Sequence, residues 1–586
     1  MPTPVTREHL DAMEKYALLN AVGHGGKADV GAVVGKVMGA APELRGSPKE
    51  VAKAAAETVK RVNSLSHPAQ QSLLQERYPE ALEASAERRS QLKKEEEART
   101  SNLPPLPNAT KGSVVLRLPP EPSGYMHIGH AMAGVINATY RDAYEGELWL
   151  RFEDTNPRAV KNAYYQSFRD GYTWLGIRWD HEKSVSSDMD ILYQYARTLV
   201  EKGDAYACAC PADLVKNLRF EGRPCQHRAQ TVEKNLEVWD GMLARKYNEG
   251  EWVIRLKGDL ANLDHSLRDP NLLRVIDHPH PLVGDKYVVW PIYDFENVVE
   301  DKICGVTHVL RSSEFHVALQ DVLRDLLGFP PIVVEQFSRF NFKGTPVSKR
   351  LIRPLVKEGV VSGWDDPRVP TIEGVRRRGI LPEAIKQFTL QVGYGKTEHT
   401  FEWSLLFAVN RKILDPVAKR VFFVPDPVRL EVRGAPARKA SLPFHPTQIQ
   451  LGRREVSVGA DPVFLIPSAD LAEVKAKEVF RLMDLYNVRL TRVGARPEAE
   501  FAGDERVPDS RKVQWVVDNE EKRPVEVLEP SELYLDDEKP NPKSLVSRNG
   551  FAEHAFASLP IGEIVQFPRY GFVRLDAPGR CILAHP

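Results

Sequence analysis

The sequence predicts a multidomain chain, α/β followed by all-β, behind a helical N-terminal extension. Three observations carry that prediction. Between residues 114 and 152 a strand, a Gly-containing turn, a helix and a second strand follow one another, the βαβ unit of a parallel sheet. From about residue 426 onward, short β-prone runs are punctuated by Pro, Gly and Asp, the pattern of a sandwich or barrel. Before residue 100, apolar residues recur at spacings of three and four, as on a helix.

Residues 47–62 (SPKEVAKAAAETVKRV) are Ala-, Lys- and Glu-rich with helical apolar spacing. Residues 82–98 are denser in charge and lack a wide apolar face, which predicts a solvated helix or frayed linker. Three prolines in SNLPPLPN, residues 101–108, stop any helix and place a boundary there. Residues 114–118 form a short apolar strand, and the turn PPEPSGYMHIGH follows. A helix starts near Ile128 and runs towards Tyr144, with Ile128, Met132, Val135 and Ile136 on one face. Residues 148–152 are the second strand. The pattern returns as a strand at 307–311, a helix at 315–327 and a strand at 332–337. The parallel sheet is therefore split in sequence, with residues 205–285 inserted. Runs at 428–432, 513–517 and 572–575 carry the all-β reading.

Composition narrows the function. The chain has 586 residues, 42% apolar and 27% charged, ordinary for a globular protein. Lys plus Arg and Asp plus Glu number 80 each, which excludes nucleic-acid binding by bulk charge but leaves room for a local basic groove. No apolar run approaches the roughly 18 residues of a membrane span. Charges stand where a signal peptide needs an apolar stretch. Five cysteines are too few for a disulfide scaffold. A cytoplasmic protein with no membrane partner is expected.

In a parallel sheet, ligands bind beyond the carboxyl ends of the strands, at a switch in strand order. The turn 119–130 sits at such an end. His127-Ile128-Gly129-His130 opens the following helix, where free N–H groups and the helix dipole favour negative charge. Gly129 lets a flat ring or a phosphate approach the backbone. His127 and His130 are three apart and can point the same way, so two imidazole donors suit a phosphate in transition. The competing reading is two surface histidines at a helix start.

RLPPEPSGYMHIGH, residues 117–130, resembles the HIGH signature of class I aminoacyl-tRNA synthetases, and the residues before HIGH resemble the glutamyl/glutaminyl subgroup. Pro346-Val347-Ser348-Lys349-Arg350 resembles the second signature, the KMSKS loop, in the subgroup form that lacks the first Lys. Two signatures in the right order, about 220 residues apart, are far more specific together than either alone. The resemblance covers residue 111 to the C-terminus. It implies a Rossmann-like parallel-sheet catalytic domain with an acceptor-stem insertion, a helical connector and two C-terminal β-barrels that read the anticodon. The β-rich final third is similar to the archaeal and eukaryotic type of glutamyl-tRNA synthetase rather than the bacterial one. The domain expectation is a helical extension at 1–100, a linker at 101–110, a catalytic domain at 111–345 with 205–285 inserted, a Lys loop and connector at 346–425, and anticodon-binding barrels at 426–586.

The implied reaction joins L-glutamate to tRNA(Glu) through glutamyl-adenylate, with tRNA(Gln) open as a second acceptor. The attacking carboxylate is ionised at pH 7, so no general base is needed. Catalysis by alignment and phosphate neutralisation fits His127, His130, Lys349 and Mg²⁺. The resemblance implies that ATP meets Pro119, Pro120, Gly124, His127, Gly129, His130, Ser348 and Lys349. It gives Glu153 the substrate ammonium and puts Tyr293 in the amino-acid pocket. Asn297 lies one helical turn on, and Arg311 ends a strand. The glutamyl family carries Asn and Arg at these last two places, whereas the bacterial glutaminyl pattern has His and Cys. Two guanidiniums, Arg117 and Arg311, suit a dicarboxylic substrate. An ion pair of Arg311 with Glu314 or Asp321 is the structural alternative. Glutaminyl-tRNA synthetase and an inactive tRNA-binding paralogue are the competing functions.

Cys208-Ala209-Cys210, then 14 residues, then Cys225-Gln226-His227, offers three thiolates and an imidazole for structural Zn²⁺. The same knot occurs in the acceptor-binding insertion of some glutamyl enzymes. Buried, metal-free thiols are the alternative. Arg376-Arg377-Arg378 is a basic run that either faces the tRNA backbone or forms a solvated face. The N-terminal stretch 33–51 resembles the helical tail domains of tRNA-dependent amidotransferases. The family resemblance implies a monomer.

Overall fold

The computed structural model describes residues 5–23, 25–82, 103–312, 316–346, 349–395, 397, 399–494, 496–508, 510–535 and 539–586, with Pro42, Arg45 and Lys349 described through their backbone alone. Contacts divide the chain into two compact units, Met1–Ser101 and Asn102–Pro586.

The first unit contains the helices Arg7–Gly23, Val30–Ala40, Pro48–Asn63 and His67–Arg77. Proline in the first turn starts the last two, where its missing N–H costs nothing. Met13, Leu18, Val33, Val51, Val59 and Leu74 form the core. Glu14 is nearly buried between the guanidiniums of Arg61 and Arg77. The solvated helix expected at 82–98 lies, beyond its first residue, outside the described residues.

The second unit begins within the proline-rich segment, of which residues 101 and 102 fall outside the description. The rest packs on the α/β layer. Leu106 N donates to the Tyr144 hydroxyl at 3.0 Å, and Tyr140 donates to Pro104 O at 2.5 Å. Strands β1 (Val115–Leu118), β2 (Glu147–Phe152) and β3 (His181–Ser184) pair in parallel. The Ile128–Ala143 helix links β1 to β2. It buries Ile128, Met132, Val135 and Ile136, the face that its apolar spacing selects.

An antiparallel sheet then interrupts: β4 (Ala205–Cys208), β5 (Val253–Leu256), β6 (Asn271–Val275) and β7 (Val289–Pro291). Its core includes the fully buried Trp239 and Trp290. The Tyr293–Ile303 helix leads back to the parallel layer. There β8 (His308–Ser312) and β9 (Val333–Phe337) pair in parallel. Thr307 N donates to Val115 O at 3.1 Å, which lays β8 beside β1. The spatial order is therefore β9, β8, β1, β2, β3. Order reverses between β1 and β8, and ligand-binding crevices in open α/β sheets open at such a reversal.

The connector contains the helices Lys349–Lys357, Ile372–Arg378, Pro382–Val392 and Trp403–Leu414. The basic run in the second of these is not a solvated face. Arg377 pairs with Asp576 at 2.8 Å and Asp365 at 3.1 Å. Arg378 donates to Ala584 O at 3.1 Å and Pro530 O at 3.0 Å and lies 4.6 Å over the Phe407 ring. Burial draws its guanidinium down to about 10. Arg376 alone of the three is exposed.

Beyond the connector lie two half-barrel sheets, one of seven strands and one of six among the described residues. Residues 421–424 serve both: Phe422 and Val424 enter the core of the first, Val421 and Phe423 that of the second. This follows from the two-residue period of a strand. The run 513–517 is not the single strand its β propensity predicts. It is two short strands, Lys512–Val513 and Val516–Val517, at opposite edges of the seven-stranded sheet. Between them Trp515 turns inward, and its indole donates to Met483 O at 2.8 Å. The crossing carries the chain from one edge of this sheet to the other. The second closes where Val421 N donates to Gln566 O at 3.0 Å and Gln566 N to Lys419 O at 2.9 Å. Closure removes the unpaired edges of an open sheet.

Candidate active site and metal centre

A cleft of about 1570 Å³ opens at the carboxyl ends of β1, β2 and β8. Pro119, Pro120, Gly124, His127, Gly129 and His130 line one side, and Glu153, Tyr293, Glu296 and Arg311 the other. Its far wall includes Thr345, Pro346 and Arg350 beside the Lys-bearing signature. Ser348 lies outside the described residues, and Lys349 is the first residue of its helix.

The histidine turn is held from both ends. His127 caps the Ile128–Ala143 helix: its Nδ1 accepts from Gly129 N at 3.2 Å, and His130 Nδ1 accepts from His127 N at 3.3 Å. With both Nδ1 atoms accepting, the proton of each neutral ring sits on Nε2. The rings lie 3.7 Å apart between centroids. The backbone is clamped by the connector, since Ile128 N donates to Pro370 O at 2.8 Å and Ile372 N to Met126 O at 2.9 Å. These bonds join the turn to the first residue of the Ile372–Arg378 helix, and Arg377 and Arg378 at its other end reach the six-stranded sheet.

Below the turn is a buried network of charges. Arg117 leaves β1, but its guanidinium is tethered rather than free in the crevice. Nε donates to Asp301 Oδ1 at 2.9 Å and Nη2 to Asn297 Oδ1 at 3.1 Å, while Nη1 is buried and meets no acceptor among the described residues. Asp301 also pairs with Arg151 at 2.9 Å and Arg324 at 3.6 Å. Burial alone would raise the Asp301 carboxyl, but Arg117, Arg151 and Arg324 outweigh it and hold it below the usual carboxylate range. Glu153, 3% exposed, takes Arg151 at 2.9 Å and Asn297 Nδ2 at 3.4 Å on the same oxygen. Arg311, 5% exposed, lies against Tyr293, and burial draws its guanidinium down. The alternative partner Asp321 is engaged by Arg324 at 2.9 Å, and Glu314 lies outside the described residues.

Sequence reasoning passed over Asp301, Thr155 and Glu296. Asp301 had a signal: Tyr293, Asn297 and Asp301 are spaced i, i+4, i+8 and so share one helix face. Glu296 had none, because a carboxylate next to Asn297 reads as an ordinary helix residue. It is 2% exposed and accepts from the Thr155 hydroxyl.

The four soft ligands also converge. Cys208 and Cys225 sulfurs lie 3.8 Å apart. His227 Nδ1 is 3.9 Å from Cys208 Sγ and 3.3 Å from Cys210 Sγ, and all four ligand atoms lie within 4.8 Å of one another. About 3.8 Å is the S···S edge of a tetrahedron with metal–sulfur bonds of about 2.3 Å. Arg255 Nη1 lies 3.8 Å from the sulfurs of both Cys208 and Cys225. Burial and the neighbouring thiols push Cys210 up to about 12. Burial raises Cys208 as well, whereas at Cys225 hydrogen bonds and the Arg255 charge outweigh burial and lower it. Three sulfurs and an imidazole nitrogen at these separations fit zinc.

Three family models tile the second unit: the class I (E and Q) tRNA synthetase catalytic domain over residues 113–416, and two anticodon-binding domains over 418–502 and 512–576. Among curated relatives, the glutamate–tRNA ligase of Pyrococcus abyssi is 41% identical over 571 residues, 96% of each chain. That of Nitrosopumilus maritimus is 39% identical over 575 residues, 98% of each chain, and that of Pyrococcus horikoshii 40% over 571, again 96% of each. With the histidine turn, the split parallel sheet and the paired barrels in the order these models require, the chain belongs to the glutamate–tRNA ligases of the class I tRNA synthetases.

Proposed function

We propose that this chain joins L-glutamate to the 3′ end of tRNA(Glu) in two steps at the cleft: glutamyl-adenylate with release of pyrophosphate, then acyl transfer with release of AMP. One observation carries the reading. A helix N-terminus bearing two Nε2–H imidazoles faces a pocket with the buried carboxylate Glu153 and the buried guanidinium Arg311.

The chemistry follows from that pairing. The substrate α-carboxylate attacks the α-phosphate of ATP, and its low pKa makes a general base unnecessary. His127 and His130 donate from Nε2 to phosphate oxygens as charge moves onto them. Pro119, Pro120, Gly124 and Gly129 frame the nucleotide, and Mg²⁺ enters bound to the phosphates of ATP. Lys349, with Ser348 before it, takes the departing pyrophosphate. Glu153 receives the substrate ammonium group. Arg311 and Tyr293, which line the cleft, meet the two carboxylates; Arg117, buried outside that lining, adds its charge with Nη1 uncommitted among the described residues, and Asn297 fixes it relative to Glu153. Two guanidiniums so placed suit a dicarboxylate. Cys208, Cys210, Cys225 and His227 would hold a structural zinc, which would tie β4 to the turn Gln226–Ala229 with four protein ligands.

Aminoacylation tests the proposal. Purified protein with ATP and Mg²⁺ receives glutamate or glutamine and, separately, tRNA(Glu) or tRNA(Gln) transcripts. Glutamate on tRNA(Glu) is expected. Glutamate on both tRNAs adds tRNA(Gln) as an acceptor. Transfer of glutamine, or no transfer, overturns the reading.

A further inference from the structure

The amino-acid pocket holds two buried carboxyls where the assigned chemistry needs one. Glu153 Oε1 is engaged by Arg151 and Asn297. Its Oε2 is buried and meets no donor among the described residues. Glu296 lines the same cleft, is 2% exposed, and uses Oε2 to accept from the Thr155 hydroxyl. A buried acceptor without a donor costs free energy comparable to a lost hydrogen bond. A proton on Glu296 meets that need.

We propose that Glu296 is a positioning residue, a neutral carboxylic acid that donates its O–H to Glu153 Oε2 and so fixes the carboxylate that receives the substrate ammonium group. This rests on the glutamate-binding reading of the cleft. The arrangement makes a chain from the Thr155 hydroxyl to Glu296 to Glu153, with Arg151 closing the far side. The surroundings keep Glu296 neutral. Burial is the largest cause, the Glu153 charge comes next, the carboxyl–carboxyl hydrogen bond and Asp154 add to it, and only the Thr155 hydrogen bond opposes them. Arg151 is held by Glu153 and Asp301. Asp154 carries its own donors, Ser186 and Tyr165, with His280 beside it. Arg274 from β6 and Arg311 from β8 line the cleft together with Tyr293.

Two measurements test this on the full chain. The infrared difference spectrum between wild type and Glu296→Gln at pH 7 is expected to contain the C=O stretch of a protonated carboxyl. Pyrophosphate exchange in the presence of tRNA is expected to separate two variants. Glu296→Gln keeps an N–H donor for Glu153 and an acceptor for Thr155, so its KM for glutamate stays within roughly threefold of wild type, whereas Glu296→Ala raises it roughly tenfold or more with little change in KM for ATP. Absence of the band, or equal impairment of Glu296→Gln and Glu296→Ala, overturns the proposal, because an ionised Glu296 acts by charge. If Glu296→Ala does not fold, the band and the Gln variant still decide. If wild type activates no glutamate, the functional reading fails, while the spectrum still reports where the proton sits.

Discussion

Asp301 Oδ1 accepts from Arg117 Nε at 2.9 Å, with both side chains at most 2% exposed. This one carboxylate also faces Arg151 and Arg324. It is the counter-charge that lets β1, β2 and the Val317–Leu327 helix bring three guanidiniums under one pocket. Breaking a buried pair leaves the partner's charge uncompensated, which costs about 3–5 kcal/mol. Asp301→Asn preserves shape and removes the charge. Its urea midpoint is expected to fall by the equivalent of about 3 kcal/mol or more, and its KM for glutamate to rise because Arg117 loses its tether.

The thiol cluster makes a prediction independent of catalysis. Metal analysis of purified protein is expected to return zinc equimolar with the chain, and Cys225→Ser to lose it. Structural zinc contributes folding free energy directly. Chelation is therefore expected to lower the thermal midpoint and to expose the 209–224 segment to protease. Full retention of stability after complete metal removal would favour the alternative of packed, metal-free thiols.

The ends of the molecule differ in how far they could be read. The βαβ unit was legible because its strands are continuous apolar runs and its helix has one apolar face. Both follow from local sequence. The histidine turn and the convergence of Cys208, Cys210, Cys225 and His227 were legible because each is a short cluster of chemically special residues. Arg377 and Arg378 were not. Their partners Asp576, Pro530 and Ala584 lie some 150 to 200 residues away, and nothing local distinguishes a charge bound for a distant barrel from one bound for solvent. The run 513–517 failed for a related reason. Its β propensity is real, but the chain leaves one edge of the sheet and joins the other within five residues.

The C-terminal strand supplies a pH prediction. His585 is fully buried, and Asn410 Nδ2 donates to its Nε2 at 3.1 Å. Burial, with Arg411 and Arg378 adding to it, lowers the imidazole to about 4. The unfolded side chain takes up its proton near 6.5. Between those values the unfolded state binds more protons, so stability falls as pH drops. The loss from this group is about 2 kcal/mol by pH 5 and is absent above about pH 7. Comparing wild type with His585→Gln by urea denaturation at pH 7 and pH 5 is expected to show a smaller acid loss in the variant. An equal loss in both would mean that the strand tolerates a charged imidazole.

The histidine turn yields a kinetic prediction. His127 and His130 each spend Nδ1 on a backbone N–H at the helix start, so only Nε2–H remains to meet a phosphate. Glu153 and Arg311, on the opposite side of the cleft, keep their own hydrogen bonds when either ring is removed. Loss of one preorganised donor to developing charge costs about 10²–10³ in rate. His130→Ala is therefore expected to lower kcat of pyrophosphate exchange, measured with tRNA present, by about that factor, with KM for glutamate changed only a few-fold. The His130 ring also accepts from His127 N, so a helix-start defect must be separated from a chemical one. His130→Asn restores an acceptor at the cap without restoring the imidazole donor, because a shorter side chain cannot present its N–H at the Nε2 position. If the loss is chemical, His130→Asn recovers thermal stability while kcat stays low. Recovery of both would assign His130 to the cap alone and leave His127 as the donor to phosphate.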